Sequence, residues 1–273
     1  MDPGGTLVYG NGAAFNARES AVKSLDRAMS VLMSFSTDQR DFGVSELSER
    51  LDLPKSQISK VLATLRTHGL VTQSSGTRRY SVGLRAFALG GRYLKYSRLC
   101  QEALSVMHTI VRETGHSARF SVRDQDDALF LIALEGPHFF DTGWRAGTWL
   151  PWHSSSAARV MLAFLTPEDA TALLDNQALQ SITAYTVTDR TRLDEIVETA
   201  RRRGYDAQRN EMTIGLGTLS VPVFGPYQVL LGSLSLAFPS NEVEPGSEAG
   251  YVAAMHAKAR VLSTRMGCVV YPF

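Results

Sequence analysis

"LPKSQISKVLATLRTHGLV", Leu53 to Val71, lies in a run of 49 residues that contains no carboxylate. Asp52 precedes the run and Glu102 ends it. Between them stand Lys55, Lys60, Arg66, Arg78, Arg79, Arg85, Arg92, Lys95 and Arg98. Ile58, Val61, Leu62 and Leu65 recur at the spacing of one helix face. Pro54 suits the start of that helix and Gly69 its end. The helix so defined leaves Lys55, Ser56, Gln57, Ser59 and Lys60 outward or in its first turn. Glutamine can make a two-point contact with adenine, and lysine can reach guanine or phosphate.

Two shorter helices precede it. In "SLDRAMSVLMSFS", Leu25, Ala28, Met29, Leu32, Met33 and Phe35 form one apolar stripe, with Ser24 as the expected N-cap. In "SELSERL", Ser45 is the expected N-cap and Leu47 and Leu51 face inward. Helix, tight turn, helix is the pattern that places a second helix in the DNA major groove. Ser45, at the start of the first of these two helices, joins the DNA-facing set. Beyond Gly69, "LVTQSSGTRRYSVG" alternates around a Ser-Ser-Gly-Thr turn and reads as a hairpin. Such a wing carries Arg78 and Arg79 toward phosphates, which position a protein without reading sequence.

Charge separates this front from the rest. Residues 21–98 hold thirteen Lys and Arg against six Asp and Glu; residues 99–273 hold fourteen against nineteen. The net charge of +1 therefore hides a basic domain joined to an acidic one, which suits two domains with different partners. An apolar fraction of 44% is that of a globular protein. No apolar run is long enough for a membrane helix, and the start of the chain lacks signal-peptide pattern. The expectation is a cytoplasmic protein without membrane association. Cys100 and Cys268 have no metal-like spacing and suit a reducing compartment. Residues 1–20, Gly-rich at the start, read as a disordered tail.

"LRAFALGGRYLKYSRL", Leu84 to Leu99, has Leu84, Phe87, Ala88 and Leu94 near one stripe, and reads as a helix that buries an apolar face against a partner. Gly90-Gly91 inside it suggests a kink or a close helix approach. Further on, strands and helices intermix: a hairpin around Gln125-Asp126, helices opened by Thr166-Pro167 and by Thr188 or Asp189, strands on either side of Gly225-Pro226, and a closing helix. This is an α+β pattern. Catalytic motifs are absent. There is no Gly-x-Ser-x-Gly elbow, no His-Glu-x-x-His or Cys-x-x-Cys, and "GLGTLS" lacks the third glycine of a dinucleotide loop. No enzyme activity, catalytic residue, metal or cofactor is expected.

All three tryptophans, Trp144, Trp149 and Trp152, fall within nine residues. Phe139 and Phe140 lie nearby, with Arg145, His153, Ser154, Ser155 and Ser156. Aromatic walls with a few convergent polar groups suit a ligand pocket, and a helix starting near Ser155-Ser156 offers N–H groups to an anion. A small aromatic carboxylate is the expected ligand, with Arg145 or His153 helping to hold its charge. The opposing reading is a DNA-binding oligomer whose back half takes no ligand.

From about Ser20 the chain resembles the IclR family of transcriptional regulators. The resemblance rests on five phrases in order: "LPKSQISKVLATLRTHGLV", "YSVGLRAFALG", "LPWHSSSAARVMLAFL", "RRRGYDAQRNE" and "GLGTLSVPV". It implies a winged helix-turn-helix at 21–82, a linker and dimerisation helix at 83–98, and a GAF-like α/β effector-binding domain at 99–273. It further implies a double-stranded DNA operator, a small organic acid effector, and a homodimer or dimer of dimers, with repression of a catabolic operon as the expected output. It adds Thr218, Ser220 and Ser235 to the effector set. Gln57, Lys60, Trp152, Ala158-Arg159 and Thr218 depart from the family's usual residues.

Overall fold

The computed structural model describes residues 22–37, 39–138, 141–175, 177–242 and 248–273. The expected tail at 1–20, and Phe139 and Phe140, lie outside them. The chain divides into two compact units, 1–97 and 98–273.

In the first unit, α1 (Lys23–Met33), α2 (Val44–Leu51) and α3 (Lys55–Thr67) precede a hairpin of β1 (Val71–Gln73) and β2 (Tyr80–Val82). Neither expected serine cap is used. Helix α1 follows Val22 and α2 follows Gly43, so Ser24 and Ser45 are each the second residue of their helix. The Glu46 carboxylate accepts the Gly43 N–H at 2.6 Å, the half of a capping box that a glycine at the N-cap can still make. The expected stripe on α1 is also corrected. Val31 and Phe35 are buried, while Leu25, Met29 and Met33 face outward. The core joins Val31 and Phe35 to Phe42, Leu47, Ile58, Leu62, Leu65, Val71 and Tyr80. Between α2 and α3 the chain turns at Asp52, in the left-handed region at φ 49°. The Ser48 hydroxyl closes that turn on the Leu53 carbonyl at 2.6 Å.

Helix α4 (Leu84–Tyr96) runs unbroken through Gly90 and Gly91, and a Cβ on either would meet nothing within 4 Å. Neither glycine is needed for a close approach by another described part of the chain. No residue of α4 is buried, and Leu84, Phe87, Leu89, Tyr93 and Tyr96 are all well exposed.

The second unit is built on a six-stranded sheet in the order β5-β4-β3-β8-β7-β6, every neighbouring pair antiparallel. Its strands are β3 (Ser117–Asp124), β4 (Asp127–Leu134), β5 (Trp149–Leu150), β6 (Asp206–Arg209), β7 (Leu216–Phe224) and β8 (Leu230–Pro239). Side chains alternate between the two faces. Ala118, Phe120, Leu219, Val221, Leu234 and Leu236 make one face apolar, and helices α5 (Arg98–Thr114) and α9 (Ala249–Arg265) cover it. Helix α6 (Ser156–Ala163), all eight residues buried, lies against the other face. Helices α7 (Pro167–Asp175) and α8 (Arg190–Arg203) pack behind it, around Leu173, Leu174, Leu193 and Val197. Asp189 caps α8 through the Arg192 N–H at 2.7 Å, and Gly204 ends it at φ 77°.

Candidate functional site

Burying Ile58, Leu62 and Leu65 turns the opposite side of α3 to solvent, so Lys55, Ser56, Ser59 and Lys60 are exposed and Gln57 is half-buried. Ser45 is exposed on α2. The two wing arginines part company. Arg78, at φ 60°, is exposed at the turn. Arg79, the residue between that turn and β2, points back toward Asp41. Its Nε donates to the Asp41 carboxylate, and its Nη2 lies 2.9 Å from the Asp41 carbonyl and 2.7 Å from Glu46 Oε2. The hydrogen bond to Asp41 raises its pKa. Arg79 is thus a clamp between wing and α2. Arg66 makes a parallel tie from α3 to the wing, donating to Gln73 Oε1 at 2.7 Å.

In the second unit, strand register places Arg119, Ser235, Ser220 and Asp206 side by side across four strands on the α6 face. Ser121 and Ser233 flank this row on one side, and Ser117, Thr218 and Gln208 on the other. All of these side chains are buried, and Thr218, Ser220 and Ser235 form a hydroxyl chain with Ser156 of α6. Ser156 Oγ lies 2.8 Å from Thr218 Oγ1 and 2.7 Å from Ser220 Oγ. Ser220 Oγ lies 2.7 Å from Ser235 Oγ, and Gln208 Nε2 donates to Thr218 at 3.0 Å. Ser156, Thr218, Ser220 and Ser235 are therefore brought together. Ser154 and Ser155 lead into α6; the hydroxyls of Ser154 and Ser233 are buried with no hydrogen-bond partner. A buried polar group left unpaired costs about 1–3 kcal/mol, so such atoms mark places where a ligand gains most.

Arg119 is the residue the sequence reading missed. It is 9% exposed, donates from Nη2 to Thr142 Oγ1 at 3.2 Å, and stands 5.2 Å from the centre of the Phe130 ring. Its Nε has no acceptor, and among the described residues no carboxylate forms an ion pair with it. Burial lowers its pKa. An arginine on a Ser-rich strand gives no local signal of this; only the register reveals that it borders the hydroxyl row.

A second buried arginine is fully engaged. Arg159 grips Glu211 at 2.8 and 2.5 Å, donates from Nε to the His153 carbonyl at 2.7 Å, and stands 3.6 Å from Asp206. Two carboxylates share one guanidinium, and burial raises the pKa of Asp206. The cluster locks α6 to β6.

The other residues expected at the pocket lie in several different surroundings. Trp152 is 1% exposed in the core with Ala158, Met161 and Leu162, its Nε1 donating to the Asp126 carbonyl at 2.9 Å. Trp149 pairs with Leu129, on the face opposite that of Ala128 and Leu150. Of the three, Trp144 comes nearest the polar row: its Nε1 donates to Thr213 Oγ1 at 3.1 Å, and its N–H shares Thr142 Oγ1 with Arg119. His153 donates from Nε2 to the Gln180 carbonyl at 2.8 Å, and burial lowers its pKa, so it is a neutral loop anchor. Arg145 is exposed and paired with Asp141 at 2.8 Å.

Comparison with known proteins supplies the class. Residues 91–264 match the family described as "Bacterial transcriptional regulator IclR C-terminal", and residues 24–75 match the "IclR helix-turn-helix domain". The HTH-type transcriptional regulator KdgR of Escherichia coli (strain K12) is 28% identical over 261 residues, covering 96% of this chain and 99% of the relative. The transcriptional repressor IclR of the same organism is 26% identical over 224 residues, 81% of this chain and 82% of the relative. An IclR homolog from Microbacterium hydrocarbonoxydans, solved in complex with 4-hydroxybenzoate, superimposes with a TM-score of 0.73 at 24% identity, covering 89% of this chain and 98% of that one. No helix among the described residues is long and apolar enough to cross a membrane. Both units are thus matched by models of one family: the chain belongs to the IclR family of DNA-binding transcriptional regulators with an effector-binding C-terminal domain, and it is not an enzyme.

Proposed function

We propose that the protein is a cytoplasmic repressor of a catabolic operon, relieved by a small aromatic carboxylate held on the α6 face of the sheet. The observation that carries this is Arg119, a buried cation that forms no ion pair among the described residues and has only the exposed Glu135 as a more distant opposite charge, beside a row of serines and threonines. A carboxylate would complete its charge and take up its free Nε, while the hydroxyls of Ser154, Ser233 and Ser235 would hold polar substituents. Phe130, beneath the guanidinium, and Trp144, beyond Thr142, supply aromatic surface. The relative solved with 4-hydroxybenzoate supports this chemical class. DNA is read by Ser45, Lys55, Ser56, Gln57, Ser59 and Lys60, with Arg78 at phosphate. The domains run as 21–82 for DNA, 83–98 for the connection and 99–273 for the effector. Two chains associate through the exposed apolar side chains of α4, presenting two recognition helices to two half-sites.

The test is a mobility-shift titration on the DNA upstream of the protein's own gene, with and without 4-hydroxybenzoate, alongside tryptophan fluorescence. We expect release of DNA, with a fluorescence change lost in Arg119→Gln. Unchanged fluorescence and DNA affinity with benzoate-type acids would overturn the aromatic reading.

A further inference from the structure

His116, His138 and Glu242 come from three separated parts of the second unit, the entry to β3, the segment after β4 and the turn after β8. They are 22 and 104 residues apart in sequence, so no spacing motif announces them. One ligand atom from each lies within 4.8 Å of the other two. Glu242 Oε1 is 3.5 Å from His116 Nε2 and 3.9 Å from His138 Nδ1. The rings meet edge to face at 5.4 Å.

The backbone is shaped to allow this. Gly115, at φ +73°, carries the carbonyl that accepts the His138 N–H at 3.1 Å, and a Cβ there would stand 2.9 Å from the His138 ring. A Cβ on Gly136 would come within 2.3 Å of the Gly115 carbonyl oxygen. Both glycines are therefore needed for the two histidine segments to approach each other. His116 is 1% exposed, wedged between Phe238 and Tyr251, whose hydroxyl lies 3.1 Å from Nε2. His138 and Glu242 are 55% and 39% exposed, which leaves an entry path. Among the described residues Glu242 pairs with no lysine or arginine; its ion-pair partners are these two rings.

We propose that His116 Nε2, His138 Nδ1 and a Glu242 carboxylate oxygen bind a divalent transition-metal ion, zinc by preference. Two imidazoles and one carboxylate without thiolate suit zinc, with bonds of about 2.0–2.2 Å. A tetrahedron of such bonds sets its ligands about 3.4 Å apart, so small rotations of the two exposed side chains complete the set and water fills the remaining position. The Tyr251 hydroxyl gives up its hydrogen bond to Nε2 when the ion enters. His116 leads into β3 on the side of Phe238 and Tyr251, across the sheet from Arg119. The site is therefore independent of the effector reading. A bound ion would tie the start of β3 to the end of β8.

The experiment is calorimetric titration of zinc chloride into the tag-free, full-length, metal-stripped protein, with melting curves recorded in parallel. One ion per chain and a raised Tm are expected. His138→Ala and Glu242→Gln, both at exposed positions, should each weaken binding at least about tenfold. His108→Ala, an exposed histidine of α5, should bind as the parent does. Cobalt should give the intense visible bands of a tetrahedral site in the parent and lose them in both variants. No saturable binding, or equal affinity in His138→Ala and Glu242→Gln, would overturn the proposal.

Discussion

Arg78 and Arg79 are adjacent, yet one faces solvent and the other is clamped by Asp41 and Glu46. Arg78→Ala should lower the slope of log affinity against log salt by about 1. Arg79→Ala should leave that slope alone and destabilise the wing by no more than about 1 kcal/mol, since the pair is one-third exposed. Salt-dependent mobility shifts and urea melts separate the two. The buried cluster allows a sharper contrast. Glu211→Gln leaves Arg159 without its two-point partner and should cost about 3–5 kcal/mol. Asp206→Asn should be nearly neutral or stabilising in the same melts, because burial already disfavours the Asp206 carboxylate. The sign follows. A carboxyl with a raised native pKa binds its proton more tightly folded than unfolded, so its contribution falls as pH rises through the raised value. Asp206→Asn should flatten that decline. The basic run told that a polyanion would be met, but not which arginine would meet it. Asp41 and Glu46 lie more than thirty residues before Arg79, and only the fold brings them to it.

Helix periodicity located α1 to α4 but could not say which side of each is covered by its own chain. Helix α1 has apolar residues on two sides; Val31 lies in the core, while Leu25 and Met29 stay outside. Helix α4 leaves most of its apolar residues in water, an arrangement that fits association with a second copy. Phe87→Glu should shift the protein to monomer in analytical ultracentrifugation and weaken operator binding, with the circular dichroism of the helices unchanged. In the second unit the limit was strand parity. Trp144, Trp149 and Trp152 are close in sequence, yet a loop, a sheet edge and a core take one each. The hydroxyls of Ser156, Thr218 and Ser220 were within reach of the sequence because they fall in the family phrases, and Ser235 was added by the wider resemblance. Arg119 was not, since its position depends on β3 pairing with a strand more than a hundred residues later.

At the scale of the whole molecule the two units must be linked by free energy if an effector is to change DNA affinity. Linkage is reciprocal. If 4-hydroxybenzoate weakens operator binding tenfold, operator DNA must weaken 4-hydroxybenzoate binding tenfold, a coupling of about 1.4 kcal/mol. Titrating each in the presence and absence of the other checks the equality. Stability should also respond to acid. Burial lowers the pKa of His116, His153 and His256, so the folded chain holds them neutral where the unfolded chain takes up protons. Their contribution is present above about pH 6.5 and lost as pH falls below it, so melts at about pH 5.5 should lie below those at about pH 7.5.

The central pairing of the sheet joins Arg119 on β3 to Ser235 on β8, whereas the core of the first unit closes between Val31 and Tyr80. Synthesis proceeds at about 5–20 residues per second. On the ribosome the DNA-reading unit is therefore complete on the order of ten seconds before β8 emerges to pair with β3. Through that interval the growing chain carries a finished reading head on a sensor that has no central sheet, and so no means of answering a ligand.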